Sequence, residues 1–373
     1  MLGGLLYHAP VEAPPSARAP PRLINDFTMA TGKPLACGGF GVVYAATNRH
    51  DGKTYALKLC RMTSIGQAPT NEAQCLACLP SHEHLVRYFG AWSEPDHTLR
   101  ELRLAIEAHG ASGIAPRGGV ALGVEEGEEG VAAEESDEDE TDEDSGDDFY
   151  WALRDRSSRG SLVLQMELLE ARTLQEVLRL EMAGTTELAA DAVRWKWLAG
   201  IASGLRVMHA YGWVHNDVKP SNIFCKDDGN IKLCDFGLAS KYHSGRLPID
   251  SHAAAGTRGQ SDPPPSHGTP MYMAPEREQM VEIGPLSDVY SLGVCTAEIH
   301  GGFRTAMERA KTLTALKKEA AAGEDAHGAT CIFVHDARAL VMEMLAAQPE
   351  GRPDAASVEG AANGRVAALT HVA

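Results

Sequence analysis

His215-Asn216-Asp217-Val218-Lys219-Pro220-Ser221-Asn222 is the run that decides the fold of this 373-residue chain, and Asp235-Phe236-Gly237 and Ala274-Pro275-Glu276 follow it in order. Just behind the run, Asp228-Gly229 separates two β-like stretches, Asn222 to Cys225 and Ile231 to Cys234, which predicts a hairpin. Ahead of it, Leu188, Val193, Trp197, Ile201, Leu205 and Met208 recur at spacings that give a helix one buried face. Nearer the N-terminus the period becomes that of strands. Short β-rich runs from Lys33 to Leu59, broken by Gly and by Asp51-Gly52, predict a small antiparallel sheet. Leu85 to Trp92 and Leu162 to Leu168 add strands, and residues 71 to 79 fit a short helix. The order predicts an α+β chain with a sheet lobe first and a helical lobe second. No internal repeat is visible.

The length and the 44% apolar content allow a full hydrophobic core. Residues 125–148 hold 15 of the carboxylates and no Lys or Arg, so the net charge of −17 leaves only −2 for the remainder. No basic block exists to contact phosphates along a nucleic acid, which argues against that class of partner. No apolar run approaches the roughly 18 to 20 residues that span a bilayer, and Met-Leu-Gly-Gly-Leu-Leu is too short for a signal-peptide core. The eight cysteines lack disulfide-scaffold spacing, which points to a reducing compartment. Cys75 and Cys78 form one CxxC with no second pair, so buried helix positions are expected there rather than zinc. Residues 1–21, rich in Pro and Ala, are expected to be a disordered tail, and about 108–150, Gly-rich then acidic, a disordered insert. The sheet lobe is expected over 22–168, the helical lobe over 169–360 and a C-terminal tail over 361–373.

Leu35-Ala36-Cys37-Gly38-Gly39-Phe40-Gly41-Val42-Val43 lies on the first hairpin, where small residues let backbone amides approach a triphosphate. Alone, such a run is more often a plain turn. Ala56-Leu57-Lys58 follows on a strand, and Glu72 is the sole carboxylate between Leu59 and His82, so it is the candidate ion-pair partner of Lys58. A strand lysine by itself is usually a solvated surface group. The three later runs remove the ambiguity: together the set resembles the protein kinase signature and implies a bilobal kinase fold. On that resemblance Asp217 accepts the substrate hydroxyl proton, and Lys219 offsets charge on the moving phosphate. Asn222 and Asp235 hold Mg2+, and Lys58 with Glu72 serves ATP. Met166, Glu167, Leu168 and Leu169 form the hinge that pairs with adenine, with Val43, Ala56 and Phe224 over its faces. Asp288 braces the catalytic loop and Arg352 pairs with Glu276. Lys219 and Gly268-Thr269 resemble Ser/Thr rather than tyrosine kinases. The chain departs from the pattern twice: Ala36 replaces the first loop Gly, which implies weaker ATP binding, and Asn216 replaces the Arg that receives an activation-loop phosphate.

Closer features resemble the eukaryotic initiation factor 2 alpha kinases, over about residues 22–357. These are Asn25-Asp26-Phe27 before the Gly loop, Val86-Arg87-Tyr88-Phe89-Gly90-Ala91-Trp92 in the family's fourth strand, Leu164-Gln165-Met166-Glu167 into the hinge, and the acidic insert between the fourth and fifth strands. Phe303 to Leu313, with Met307-Glu308-Arg309, looks like that family's helix G. In that helix Ala306, Ala310, Leu313 and Leu316 are expected on the core side, leaving Met307, Lys311, Thr314 and Lys318 outward as a docking surface. A merely solvated face is the plain alternative. The resemblance implies initiation factor 2 alpha as protein substrate, a cytoplasmic setting, and an activation-loop phosphosite at Thr269 or Ser266. It also implies a homodimer through Arg22, Asp26 and Tyr88, against which stands a local Arg22–Asp26 pair within one helical turn. A Wee-type cell-cycle kinase and a pseudokinase scaffold are the other readings; the former lacks the Met-Glu-Arg helix, and intact Lys58, Glu72, Asp217, Asn222 and Asp235 argue against the latter.

Overall fold

The computed structural model describes residues 21–30, 33–38, 41–61, 68–95, 97–98, 160–186, 189–242, 270–279, 284–322 and 337–371. Residues 1–20 of the tail expected over 1–21 and the acidic insert lie outside them, as do Gly39, Phe40, Leu188, Ser266 and Thr269. Helix α1 (Arg22–Asp26) leads into strands β1 (Phe27–Met29), β2 (Ala36–Gly38), β3 (Gly41–Asn48) and β4 (Thr54–Arg61). Helix α2 (Ala68–Cys78), β5 (Tyr88–Glu94) and β6 (Ser161–Glu167) complete the first lobe. Its sheet runs β1-β3-β4-β6-β5 with β2 on β3, every pairing antiparallel.

Alternation along β4 sorts its side chains between two cores, because successive strand residues face opposite sides. Tyr55 and Leu57 join Leu23, Phe27, Ala46 and Val163 on the outer face, beneath α1. Ala56 and Cys60 face inward with Cys75 and Leu76 of α2 and Leu164. Lys58 shares that inner parity, so the strand delivers its ammonium to the cleft side. Of the CxxC pair, Cys75 is buried and Cys78 exposed, which corrects the expectation that both are buried.

The second lobe holds β7 (Arg172–Thr173), α3 (Leu174–Met182), α4 (Asp191–Ala210), β8 (Trp213–Val214), β9 (Ile223–Cys225), β10 (Ile231–Leu233) and β11 (Ser240–Lys241). After these come α5 (Pro275–Glu278), α6 (Pro285–Gly301), α7 (Ala306–Ala322), α8 (Arg338–Met344) and α9 (Ala355–Thr370). A Thr173/Glu176 capping box opens α3. On α4, Trp197, Ile201, Leu205 and Met208 are buried as their spacing predicts. Helix α6 is buried on every side from Ser287 to Gly301, the mark of a central core helix, and stops at Gly302 in the left-handed region (φ 56°). Where a tail was expected from 361, α9 runs on to Thr370: Val358 and Ala362 are buried, and Arg365 lies 5.8 Å over the Trp195 ring of α4.

A seam joins the lobes. Leu85 and Val86, expected in a strand with Trp92, instead pair with β10: Leu233 N donates to the His84 carbonyl (2.9 Å) and Val86 N to the Leu233 carbonyl (3.0 Å). Strand β5 therefore begins only at Tyr88. Lys232, buried in β10, donates to the Leu85 carbonyl at 2.9 Å and pairs with Glu167 at 2.6 Å. No helix among the described residues is long and apolar enough to cross a membrane.

Candidate active site

Lys58 Nζ sits 2.8 Å from Glu72 Oε1 on α2 and 2.8 Å from Asp235 Oδ1. Burial alone would lower the lysine pKa, but the two carboxylates outweigh it and hold it raised, so the group is an ammonium. Burial pushes Asp235 up, and the charge and hydrogen bond of Lys58 more than reverse this, leaving it lowered. For Glu72 burial wins over the opposing ammonium and the pKa is raised. Cys60 Sγ donates to Glu72 Oε2 at 3.9 Å, and burial pushes its thiol up to about 12, which keeps it a neutral donor.

The catalytic loop leaves β8 and is held from beneath by Asp288 of α6. That buried carboxylate accepts from His215 N (2.8 Å), Asn216 N (2.8 Å) and His209 Nε2 (2.9 Å). Burial raises the Asp288 pKa, but the hydrogen bond and charge of His209 outweigh it, so the net shift is downward. Asn216 (φ 68°) and Asp235 (φ 58°) are the non-glycine residues with positive φ among the described residues, and such strain gathers at functional sites. Asn216 Nδ2 donates to the Leu238 carbonyl (2.9 Å) and to Ser240 Oγ (2.8 Å), which ties the loop to the segment behind Asp-Phe-Gly through neutral bonds. The Asn216 carbonyl accepts from the guanidinium of Arg277. Arg277 escaped the sequence reading because a lone Arg after Ala-Pro-Glu carries no pattern. Phe236, fully buried, lies 5.2 Å from the His215 ring.

Asn222 Nδ2 donates to the Asp217 carbonyl (2.8 Å) and to its Oδ2 (2.9 Å), and Lys219 Nζ approaches the same Oδ2 at 3.2 Å. With its amide nitrogen committed in this way, Asn222 offers a cation its oxygen. Together with Asp235 this suits a hard divalent ion. Among the described residues no group of three or more His, Cys, Asp or Glu could hold a metal unaided, so further oxygens, such as those of phosphates, would have to complete the shell.

Val43 and Ala56 pack in the inner core, and Phe224 is half-buried in β9. Met166 pairs with Ala56 across the sheet. The Glu167 N–H is already donated to the Arg87 carbonyl (2.9 Å), so of its two backbone groups only the carbonyl can serve adenine; Leu168 and Leu169 follow directly. Ala36, Cys37 and Gly38 run antiparallel to Val43, Val42 and Gly41, with Leu35 exposed beside them. Glu276 and Arg352 form a two-bond pair at 2.7 and 2.8 Å.

On α7, Leu313 and Leu316 are buried and Met307 (66%), Lys311, Thr314 and Lys318 are exposed. Ala306, expected on the core side, is exposed because it stands in the first turn of the helix, ahead of where the core begins. Arg22 and Asp26 pair with each other at 3.2 Å within α1, the local arrangement, and Tyr88 is half-buried at the start of β5.

The sequence matches the family described as "Protein kinase domain" over residues 150–360, more than half of the chain. It is 26% identical over 325 residues to the "Interferon-induced, double-stranded RNA-activated protein kinase" of Rattus norvegicus, covering 87% of this chain and 49% of that protein. It is 31% identical over 312 residues to "eIF-2-alpha kinase GCN2" of Arabidopsis thaliana, covering 81% of this chain and 22% of that protein. The Schizosaccharomyces pombe protein of the same name is 28% identical, over 76% of this chain and 20% of its own length. The chain thus spans about half of the first relative and about a fifth of the other two. The family match begins behind the acidic insert, yet β4 and β5 both pair with β6, so the strands before the insert build one sheet with those after it. With Lys58, Asp217, Asn222 and Asp235 converging at one cleft, the chain belongs to the protein kinase domain family, and its site is that of a protein serine/threonine kinase.

Proposed function

We propose that this kinase transfers the γ-phosphate of ATP to a serine of translation initiation factor 2 alpha, as part of a stress-linked repression of translation in the cytoplasm. The observation that carries this reading is the similarity of most of the chain to two proteins named eIF-2-alpha kinase. The exposed α7 face of Met307, Lys311 and Thr314 supports it as a docking surface for that factor.

Asp217 orients the serine hydroxyl and takes its proton, its carboxylate fixed by Asn222 and Lys219. Lys219 offsets charge as the phosphoryl group moves, and Lys58, held by Glu72, meets the first two phosphates. The backbone of Ala36 to Gly41 covers the phosphates. The Glu167 carbonyl and Leu169 N–H pair with adenine between Val43, Ala56 and Phe224. Asn222 and Asp235 would hold Mg2+, which when bound neutralises phosphate charge. Thr269 and Ser266 are the proposed activation-loop phosphosites, and Arg22, Asp26 and Tyr88 the proposed homodimer contact.

The test is to offer purified factor, unaltered and with its target serine replaced by Ala, to the purified chain with ATP and Mg2+. Phosphate on the first and not the second is the expected result, abolished by chelation of the metal and by Asp217→Asn. Equal labelling of both forms, or equal turnover by Asp217→Asn, rejects the reading.

A further inference from the structure

Residue 216 is the position that the kinase signature fills with Arg, and here it carries a neutral Asn, buried and in the left-handed region (φ 68°). Asn tolerates that conformation better than most residues, but a non-glycine backbone held there still needs restraint from its surroundings. Asp288 supplies it on one side, accepting from the Asn216 N–H at 2.8 Å. On the other side the Asn216 carbonyl accepts from the guanidinium of Arg277, on α5. That carbonyl belongs to the peptide unit shared with Asp217, so the bond bears directly on how the catalytic carboxylate is aimed.

The Asn216 side chain uses only one of its two polar ends. Its Nδ2 donates to the Leu238 carbonyl and to Ser240 Oγ, while its Oδ1 is buried with no hydrogen-bond partner among the described residues. A small cavity is lined in part by Asn216, Asp217, Arg277 and Ser291, so the side chains of 216 and 277 face one space. Burial lowers the Arg277 pKa, and the charges of Asp288, Asp217 and Glu276 oppose this without reversing it. An arginine keeps its charge at any working pH even so. A fixed guanidinium therefore acts on both the carboxylate that braces the loop and the one that takes the proton.

We propose that Arg277 is a positioning residue that supplies, from α5, the cation that residue 216 lacks. Its guanidinium enters the catalytic loop from a neighbouring element, fixes the 216–217 peptide through the Asn216 carbonyl, and balances Asp288 and Asp217. Asn216 and Arg277 are on this account a matched pair. An Arg at 216 would set two guanidinium groups about one cavity and one carbonyl, where like charges disfavour each other. Such a restraint acts on alignment, so its loss lowers turnover without weakening ATP binding. The proposal concerns phosphoryl transfer to any hydroxyl and is independent of which protein is the substrate.

The experiment compares the full chain with Arg277→Gln, Arg277→Lys, Asn216→Arg and the double variant Asn216→Arg/Arg277→Gln, each given ATP, Mg2+ and either initiation factor 2 alpha or a generic serine peptide. Turnover of either acceptor serves, so failure on the factor alone counts against the substrate reading and not against this one. Because misplacement of reacting groups by about 1 Å costs up to about a hundredfold, Arg277→Gln is expected to lower kcat about tenfold with the KM for ATP held within about twofold. Arg277→Lys keeps the charge without the forked donor and should recover part of that loss. Asn216→Arg alone should also lose turnover, whereas the double variant, with its one guanidinium moved across the pair, should return to within about threefold of wild type. A double variant no faster than Arg277→Gln overturns the proposal, as does wild-type kcat in Arg277→Gln. Should the Asn216→Arg proteins fail to fold, Arg277→Lys and hydrogen exchange decide. The amides of 215 and 216, which donate to Asp288, should lose protection in Arg277→Gln while those of α4 keep theirs. Unchanged exchange at those two amides, or an Arg277→Lys protein no faster than Arg277→Gln, overturns it.

Discussion

Lys58 does two things that its position on β4 makes inseparable: it presents charge to the cleft, and it neutralises two carboxylates packed around it. Removing one partner of a buried ionic cluster costs about 3 to 5 kcal/mol, so Lys58→Met is expected to lose both activity and a large part of thermal stability. Asp217→Asn keeps shape and most contacts, and should lose activity by about a hundredfold or more with a melting shift worth about 1 kcal/mol. Parallel melting and turnover measurements check this; a Lys58→Met protein as stable as wild type would show that the cluster does not bind the lobe together. Asp288 makes a pH-dependent prediction. Its folded pKa lies below the usual 3.8, so its charge stabilises the fold above that value, and this contribution is lost as pH falls through the folded value. Asp288→Asn also turns an amide NH2 toward backbone N–H donors, a cost of about 1 to 3 kcal/mol. The melting-temperature gap between wild type and Asp288→Asn should be wide near neutral pH and close as the solution becomes more acid than about pH 4. At this scale Lys58, Glu72, Asp217, Asn222 and Asp235 were legible because phosphoryl transfer demands those chemical types in that order. Arg277 was not: its carbonyl partner at Asn216 lies 61 positions away and leaves no mark in a sequence.

Among the elements, the β2–β3 hairpin separates a glycine that is required from an alanine that is tolerated. Gly41 has φ 140°, and a Cβ there would meet the Leu59 carbonyl oxygen, so Gly41→Ala must push β3 off β4. Ala36, by contrast, sits exposed in ordinary extended backbone. We therefore expect Gly41→Ala to raise the KM for ATP about tenfold or more, and Ala36→Gly to change it by less than about twofold, which replaces the weaker binding expected from the sequence. A large gain in ATP affinity on Ala36→Gly would refute this. The two faces of β4 were readable because strand alternation has a period of two. The start of β5 was not, since Leu85 and Val86 are as apolar as strand residues but are bridged to β10 in the other lobe, where Val86 N–H donates to the Leu233 carbonyl and the Leu85 carbonyl accepts from Lys232. The length of α9 was missed for a related reason: small Ala and Gly side chains give little periodic signal, and burial of Ala362 against α4 becomes evident only once the helices are packed.

For the whole molecule, the first question is self-association. The Arg22–Asp26 pair seen within α1 is exposed enough to be worth only about 0 to 1 kcal/mol, so reversing either charge should hardly affect folding. If the same residues also face their counterparts across a two-fold axis, each contact occurs twice. Arg22→Asp and Asp26→Arg should then each weaken dimerisation, and the double variant should recover it, as sedimentation would show. A double variant no better than the singles ends the dimer proposal. The two-lobe order and the cleft between them were legible from the switch of period along the chain; the seam at Leu85 was not, because it pairs residues 148 positions apart. That seam has a thermodynamic consequence. Residues 84–86 belong to the first lobe by chain order but complete the edge of β10 in the second, and Lys232 adds a bond to Leu85 and a charge contact to Glu167. Melting of either lobe strips hydrogen bonds from the other, so the lobes are not independent folding units. Calorimetry should give a single transition whose van't Hoff and calorimetric enthalpies agree, and a fragment ending at residue 168 should remain unfolded.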